Sequence, residues 1–228
     1  MAEHLPNVTN QITAAELASA LLHAWRELFG STPARTSILL IVAQSAHETG
    51  RWAKGLHCFN IGNIKCSEGD GRDFTMFRCR EVIGGKNVYF DPPHPATRFR
   101  AFRTLAEGAI DHLAFLRGSK RYGAAWKAVE RGAPTAFAQT LKDGGYYTDP
   151  VEVYAKALNA FVKEFDRTLP AELEPPVIDA EAAARAQGLV ALSLRELGGE
   201  FVTGTTEAPP DPGRAQTDDE ASAATKRS

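Results

Sequence analysis

Apolar positions along this chain recur mainly at three- and four-residue intervals, the spacing of helices buried on one face. Thr13-x-x-Glu16 is a capping-box signature. After it, Leu17, Leu21, Leu22, Trp25, Leu28 and Phe29 share a face, and Gly30 stops the run. Ser31-Thr32-Pro33 predicts the start of a second helix with proline in its first turn, running through an apolar stretch to Gly50. Residues 53–66 carry no period and read as loop. In 72–91, "RDFTMFRCREVIGGKNVYFD", strand-forming Phe74, Phe77, Val82, Val88, Tyr89 and Phe90 flank Gly84-Gly85, which predicts a β-hairpin. "DPPHPATRF" then reads as an irregular return.

The helical period resumes at Thr104-x-x-Glu107, with Leu105, Ile110, Leu113 and Leu116 inward. A short helix is predicted over Tyr122–Arg131 and another over Pro134–Lys142, closed by Gly144-Gly145. Asp149-Pro150 opens a further helix, with Asp149 as its N-cap and Val153, Ala157, Phe161 and Phe165 on its inward face. The pattern is α+β: mostly helical, with one hairpin.

After Pro170 the composition changes. "PAELEPPV" reads as a linker, and the Ala-rich segment 179–197 as a helix with a stripe of Val190, Leu194 and Leu197. That helix would either dock a protein partner or pack on its own domain. The last stretch is too polar to form a core and reads as disordered. The division expected is a main domain over 1–168, a linker and amphipathic helix over 169–200, and a disordered acidic tail over 201–228.

Charge sharpens this division. The 228 residues carry a net charge of −2, but residues 168–228 hold 5 basic and 11 acidic side chains, which leaves the first 167 at +4. A mildly basic body suits an anionic partner without requiring one. No nucleic-acid motif is present. No apolar run reaches the roughly 20 residues of a membrane span. The N-terminus lacks a basic start followed by an apolar stretch, so neither membrane insertion nor a signal peptide is expected.

The chemistry is concentrated in "IVAQSAHETGRW", residues 41–52. An apolar helix ends in Glu48, although the helix macrodipole disfavours a carboxylate at that end. An exposed helix-end glutamate would explain the letters. So would a general acid in an apolar notch, where burial raises the pKa until the group donates a proton near neutral pH. "FNIGNIK", residues 59–65, follows closely, and Asn60 with the loop amides could hold the amide or hydroxyl groups of a sugar.

Four blocks resemble glycoside hydrolase family 73, the bacterial N-acetylglucosaminidases. "AQSAHETGRW" is similar to the family's "AQAALESGWG", and "FNIGNIK" to its "NLFGIK". "FRAFRTLAEGAIDHLAFL" resembles "FRKYDSWEEAIDDYVRFL", and "GGYYTDPVEVYAKAL" resembles "AGYATDPNYADKL". The blocks keep the family's order over about residues 34–166. The resemblance implies a lysozyme-like fold and cleavage of β-1,4 bonds in peptidoglycan glycan strands, without a metal or organic cofactor. It places the catalytic glutamate at Glu48 and an active-site tyrosine at Tyr146. A second acid falls on the hairpin at Glu81, with Glu68, Asp70, Asp73 and Asp91 also in that segment. Substrate contacts are implied at Trp52, Phe59, Asn60, Gly62, Tyr147 and Thr148. The chain departs from the family at Ala46-His47 and at the extra Asn63.

Two other activities share the fold, a muramidase and a lytic transglycosylase, although the "GLMQ"-type loop of transglycosylases is missing. A non-catalytic wall-binding component of a phage tail or injection device is a third reading. Without a signal peptide, the protein is expected to be made in the cytoplasm. It would reach the wall by phage or prophage lysis, on a particle, or by non-classical secretion. Cys58, Cys66 and Cys79 lack the close pairing of zinc sites and are expected as reduced thiols, with a disulfide as the alternative in an oxidising compartment.

Overall fold

The computed structural model describes residues 2–84 and 86–196. Helix α1 spans Ala14–Phe29. Its capping box forms: Glu16 N donates to Thr13 Oγ1 (3.1 Å) and Thr13 N donates to Glu16 Oε2 (2.7 Å). Gly30 ends it in the left-handed region at φ 61.

Helix α2 spans Arg35–Glu48, and every residue from Ser37 to Ala46 is buried. A helix apolar on all sides must lie in the interior, and α2 is the central element, between α1 and the later helices. Ser31–Pro33 lies ahead of α2 rather than in its first turn, because Ala34 is still extended (ψ 143) and forms the N-cap. Arg35 then ties this end to the far side of the domain, through Asp166 (3.1 Å) and the Pro170 carbonyl (2.6 Å).

The predicted hairpin is two sheets. Strands β2 (Cys79–Ile83) and β3 (Lys86–Phe90) pair antiparallel with Ile83 opposite Lys86. Strand β1 (Phe74–Met76) instead pairs with β4 (Arg98–Arg100), inside the stretch read as an irregular return. Between β1 and β2, Phe77 leaves the ladder to stack between His57 (4.0 Å) and Phe99 (4.3 Å), which separates the sheets. An extended N-terminal arm runs alongside, with Leu5 N donating to the Phe74 carbonyl and Cys58 N to that of Val8, each at 2.8 Å.

The remaining helices are α3 (Leu105–Gly118), α4 (Gly123–Glu130), α5 (Pro134–Asp143), α6 (Val151–Thr168) and α7 (Ala180–Glu196). Helix α3 packs on α1, and α6 packs on α2 and α5. Pro150, not Asp149, is the N-cap of α6, and no side chain caps that end. The buried face of α6 carries Tyr154, Ala155, Leu158 and Phe165, whereas Val153 is 57% exposed. That is one residue, about 100° of helix, from the expected stripe.

Helix α7 packs on α3. Ala182 and Ala186 are its buried contacts, with Leu189 and Val190 partly covered, and Arg185 pairs with Glu107 at 2.9 Å. The described part of this face packs on the chain's own domain. Leu197 and the tail over 201–228 lie outside the described residues. Cys58, Cys66 and Cys79 are free thiols. The α+β, mostly helical, lysozyme-like architecture expected from the sequence is the one observed.

Candidate active site

Glu48 is the last residue of α2. The chain turns away at once. Thr49 Oγ1 donates to the Ser45 carbonyl (2.6 Å), and Arg51 and Trp52 both adopt φ 59. The turn drives Trp52 inward. Its indole N–H donates to Ser45 Oγ (3.0 Å), its ring stacks near Phe165, and it is 5% exposed. Trp52, expected at the sugar, is a core residue that anchors the end of α2.

The Glu48 carboxyl faces α6. The Tyr154 hydroxyl donates to its Oε1 at 2.7 Å, and no described cation is paired with it. Burial raises the pKa of Glu48 to about 7; the Tyr154 hydrogen bond opposes the rise and the nearby charge of Asp149 adds to it. Tyr154 is held by a parallel stack on Tyr147 (4.0 Å) and an edge contact with His47 (4.6 Å). Burial also lowers the pKa of His47, against an upward pull from Asp149.

The loop after α2 is fastened to the end of that helix and to Tyr146. Asn63 Nδ2 donates to the Glu48 carbonyl (2.9 Å) and the Tyr146 hydroxyl donates to the Gly62 carbonyl (2.9 Å). Gly62 lies so close to α3 that a Cβ would sit 2.5 Å from the His112 ring. That ring is buried, is hydrogen-bonded to Gln44 Oε1 (3.0 Å), and has its pKa lowered to about 3 by burial and by Arg100. Asn60, expected to hold a sugar, braces the loop instead. Its Oδ1 accepts from Ile64 N (2.8 Å), its Nδ2 donates to the carbonyls of Ile64 and Arg100, and the residue is 2% exposed.

Glu48, Gly62, Asn63, Lys65, Asp70, Arg100, Phe115, Arg121, Tyr122 and Tyr146 line one cleft of about 480 Å³. Of the expected site residues, it brings together Glu48, Gly62 and Tyr146. Tyr147 lies behind Tyr154 and donates its hydroxyl to the Ala138 carbonyl (2.9 Å). Thr148 is exposed and offers its carbonyl to Lys142. Phe59 lies in a separate recess against α1. Glu81 stands on β2, 2.7 Å from Lys65 Nζ, and lines a neighbouring groove with His94 and Pro95. Lys65 and Ser67 are shared between that groove and the Glu48 cleft.

Asp70 lies in the cleft wall as part of a charge network. Arg100 Nε donates to its Oδ2 (3.0 Å), and buried Asp111 receives both Arg100 (2.9 Å) and Arg72. This network joins Asp70 to Asp111 across the sequence, and no local pattern announces it. Tyr154 is the main residue that the sequence reading missed. Its signal was the alternative α6 stripe of Tyr154, Leu158 and Phe165. Among the described residues, no group of three or more His, Cys, Asp or Glu is placed to hold a metal ion.

Comparison with known proteins identifies the family. The family model described as glucosaminidase, mannosyl-glycoprotein endo-β-N-acetylglucosaminidase, matches residues 34–167. No curated protein sequence matches the chain. Among solved structures, a peptidoglycan hydrolase mutant from Sphingomonas sp. A1 is similar at 26% identity and a TM-score of 0.50, covering 65% of this chain and 88% of that one. A C-terminally truncated glycoside hydrolase domain of FlgJ from Salmonella typhimurium aligns at 21% identity and a TM-score of 0.46, covering 68% and 99%. The family match runs from the start of α2 to the end of α6 and takes in more than half of the chain, which therefore belongs to the glucosaminidase family of glycoside hydrolases.

Proposed function

We propose that the chain hydrolyses β-1,4 bonds in the glycan strands of peptidoglycan, as an endo-β-N-acetylglucosaminidase, with Glu48 as general acid. The observation that carries this reading is the state of Glu48. A carboxyl with a pKa near 7 keeps much of its proton at neutral pH. Tyr154 occupies Oε1, and Oε2 has no partner among the described residues. Oε2 is therefore the atom free to protonate a leaving glycosidic oxygen in the cleft. Tyr146, fixed at the Gly62 carbonyl, forms the adjoining wall against which a sugar ring would rest. The wall-hydrolase relative from Sphingomonas supports the choice of substrate, and the site of action is then the cell wall. No helix among the described residues is long and apolar enough to cross a membrane.

Two carboxylates are candidates for the second role, guiding water or stabilising the oxocarbenium-like transition state. Glu81 is the one implied by the sequence resemblance. Asp70 is favoured by position, because it lines the same cleft as Glu48. Glu81→Gln and Asp70→Asn, compared on one substrate, separate them: the larger loss of kcat in a variant that still melts cooperatively marks the functional group.

Mass spectrometry of digested peptidoglycan tests the activity as a whole. New reducing ends on N-acetylglucosamine are expected, with Glu48→Gln folded and nearly inactive. Reducing-end N-acetylmuramic acid would indicate a muramidase, and a 1,6-anhydro product a transglycosylase. No cleavage by the wild type would leave a wall-binding protein.

A further inference from the structure

Three cations line the Glu48 cleft, and two are already engaged. Lys65 pairs with Glu81 at 2.7 Å, and Arg100 pairs with Asp70 and Asp111 at 3.0 and 2.9 Å. Arg121 is exposed, and its side chain makes no ion pair or hydrogen bond among the described residues. Its backbone is nevertheless well fixed. It sits in the one-turn 3-10 helix Lys120–Tyr122, and the next residue, Tyr122, is 5% exposed with its ring edge-on to Tyr146 at 5.6 Å. Gly144 presses on the same turn, where a Cβ would lie 2.8 Å from the Tyr122 ring and 3.1 Å from the Arg121 carbonyl. Arg121 thus stands on a ridge. On one side is the catalytic cleft; on the other is a recess of about 570 Å³ lined by Ala124, Thr140, Asp143, Gly144 and Gly145.

We propose that Arg121 is a specificity residue that binds a carboxylate carried by the substituent of the glycan strand beside the scissile bond, the branch itself lying over the adjoining recess. This inference rests on the proposed activity. A glycan of N-acetylglucosamine alone is neutral, whereas every second sugar of a peptidoglycan strand bears a lactyl group that ends in a free carboxylate or continues into an acidic peptide. A guanidinium without a protein partner, fixed at the cleft rim, matches that charge and that geometry. The interaction favours substituted strands over neutral ones and is weakened by salt.

The test compares kcat/KM on peptide-stripped strands, on peptide-bearing strands, and on both after their carboxylates are converted to neutral amides. The wild type is expected to prefer the charged form about fivefold at low salt, an exposed charge pair being worth about 1 kcal/mol. Arg121→Gln should remove the preference and Arg121→Lys should retain part of it. Lys120→Gln deletes the same charge one residue away, outside the cleft lining, and should keep the preference. Loss confined to peptide-bearing strands assigns the contact to the peptide; loss on stripped strands assigns it to the lactyl group. A wild type without the preference, or an Arg121→Gln protein that keeps it, overturns the proposal. If the wild type cleaves no strand, the proposed activity fails. Co-sedimentation of Arg121→Gln and wild type with charged and amidated strands then still reads the contact.

Discussion

Glu48→Gln should make the protein more stable, and only above a definite pH. The unfolded chain ionises this glutamate around 4.5, while the folded protein holds its proton up to about 7. Below pH 4.5 both states are protonated and the site imposes no penalty. Between 4.5 and 7 the unfolded state releases its proton first, so wild-type stability falls as pH rises. Above 7 the penalty is complete, and raising a carboxyl from 4.5 to about 7 corresponds to about 3 kcal/mol. Glutamine keeps an oxygen to accept the Tyr154 hydroxyl but carries no charge, so the variant escapes this loss. For a chain of this length that is a gain of roughly 6–12 °C in Tm. Thermal melts of both proteins at pH 4, 6 and 8 make the comparison. Curves that coincide at pH 4 and separate progressively up to pH 8 are expected. A Tm difference that is the same at all three values would refute the claim that burial suppresses the charge on Glu48. Wild-type cleavage should instead hold through that interval and fall around and above pH 7, where the folded protein loses the Glu48 proton.

Tyr154→Phe removes the hydrogen bond that holds the Glu48 pKa down, so the alkaline limb of the rate–pH profile should move to higher pH, with a lower kcat. Gly62→Ala places a methyl carbon against the His112 ring. It should cost about 1–3 kcal/mol in a denaturant titration and more than tenfold in rate, because the loop that positions Tyr146 must shift. Ala186→Asp introduces a charge at the α7–α3 contact, where Ala186 is 3% exposed. Undocking of α7 should lower Tm and increase binding of a hydrophobic dye, whereas an unchanged melt would show that α7 adds nothing to the fold.

The helices were legible where a cap and a period agreed. Thr13-x-x-Glu16 and Thr104-x-x-Glu107 each mark a true start, and Gly30 marks a true stop. Glu48 stood out because a carboxylate closes a helix that is otherwise apolar. The errors arose where the sequence supports two registers or names no partner. In α6, Val153-Ala157-Phe161-Phe165 and Tyr154-Leu158-Phe165 both fit a helical stripe. Packing on α2 and α5 selects the second, and with it the hydroxyl that reaches Glu48. Alternation in "FTMF" predicts a strand but not that its partner is Arg98–Arg100, more than twenty residues on. Asn60 and Trp52 carry groups suited to sugars, but the left-handed turn after α2 and the buried loop give both to the interior. The Arg72–Asp111–Arg100–Asp70 network joins distant segments and has no sequence period.

The seam between α3 and α7 affects how this unit could be exchanged between proteins. The family match ends at residue 167, yet the chain beyond it returns to cover α3. A chimera joined at that point would inherit an α3 whose outer face is shaped for Ala182 and Ala186 and whose Glu107 has lost Arg185. Recombination that keeps the catalytic module and replaces the downstream segment therefore has to carry residues 168–196 along, or supply another helix with small side chains at the same two positions. The packed unit extends past the end of the family match, and its edge is drawn by packing against the helix that also carries His112 beneath the loop of Gly62.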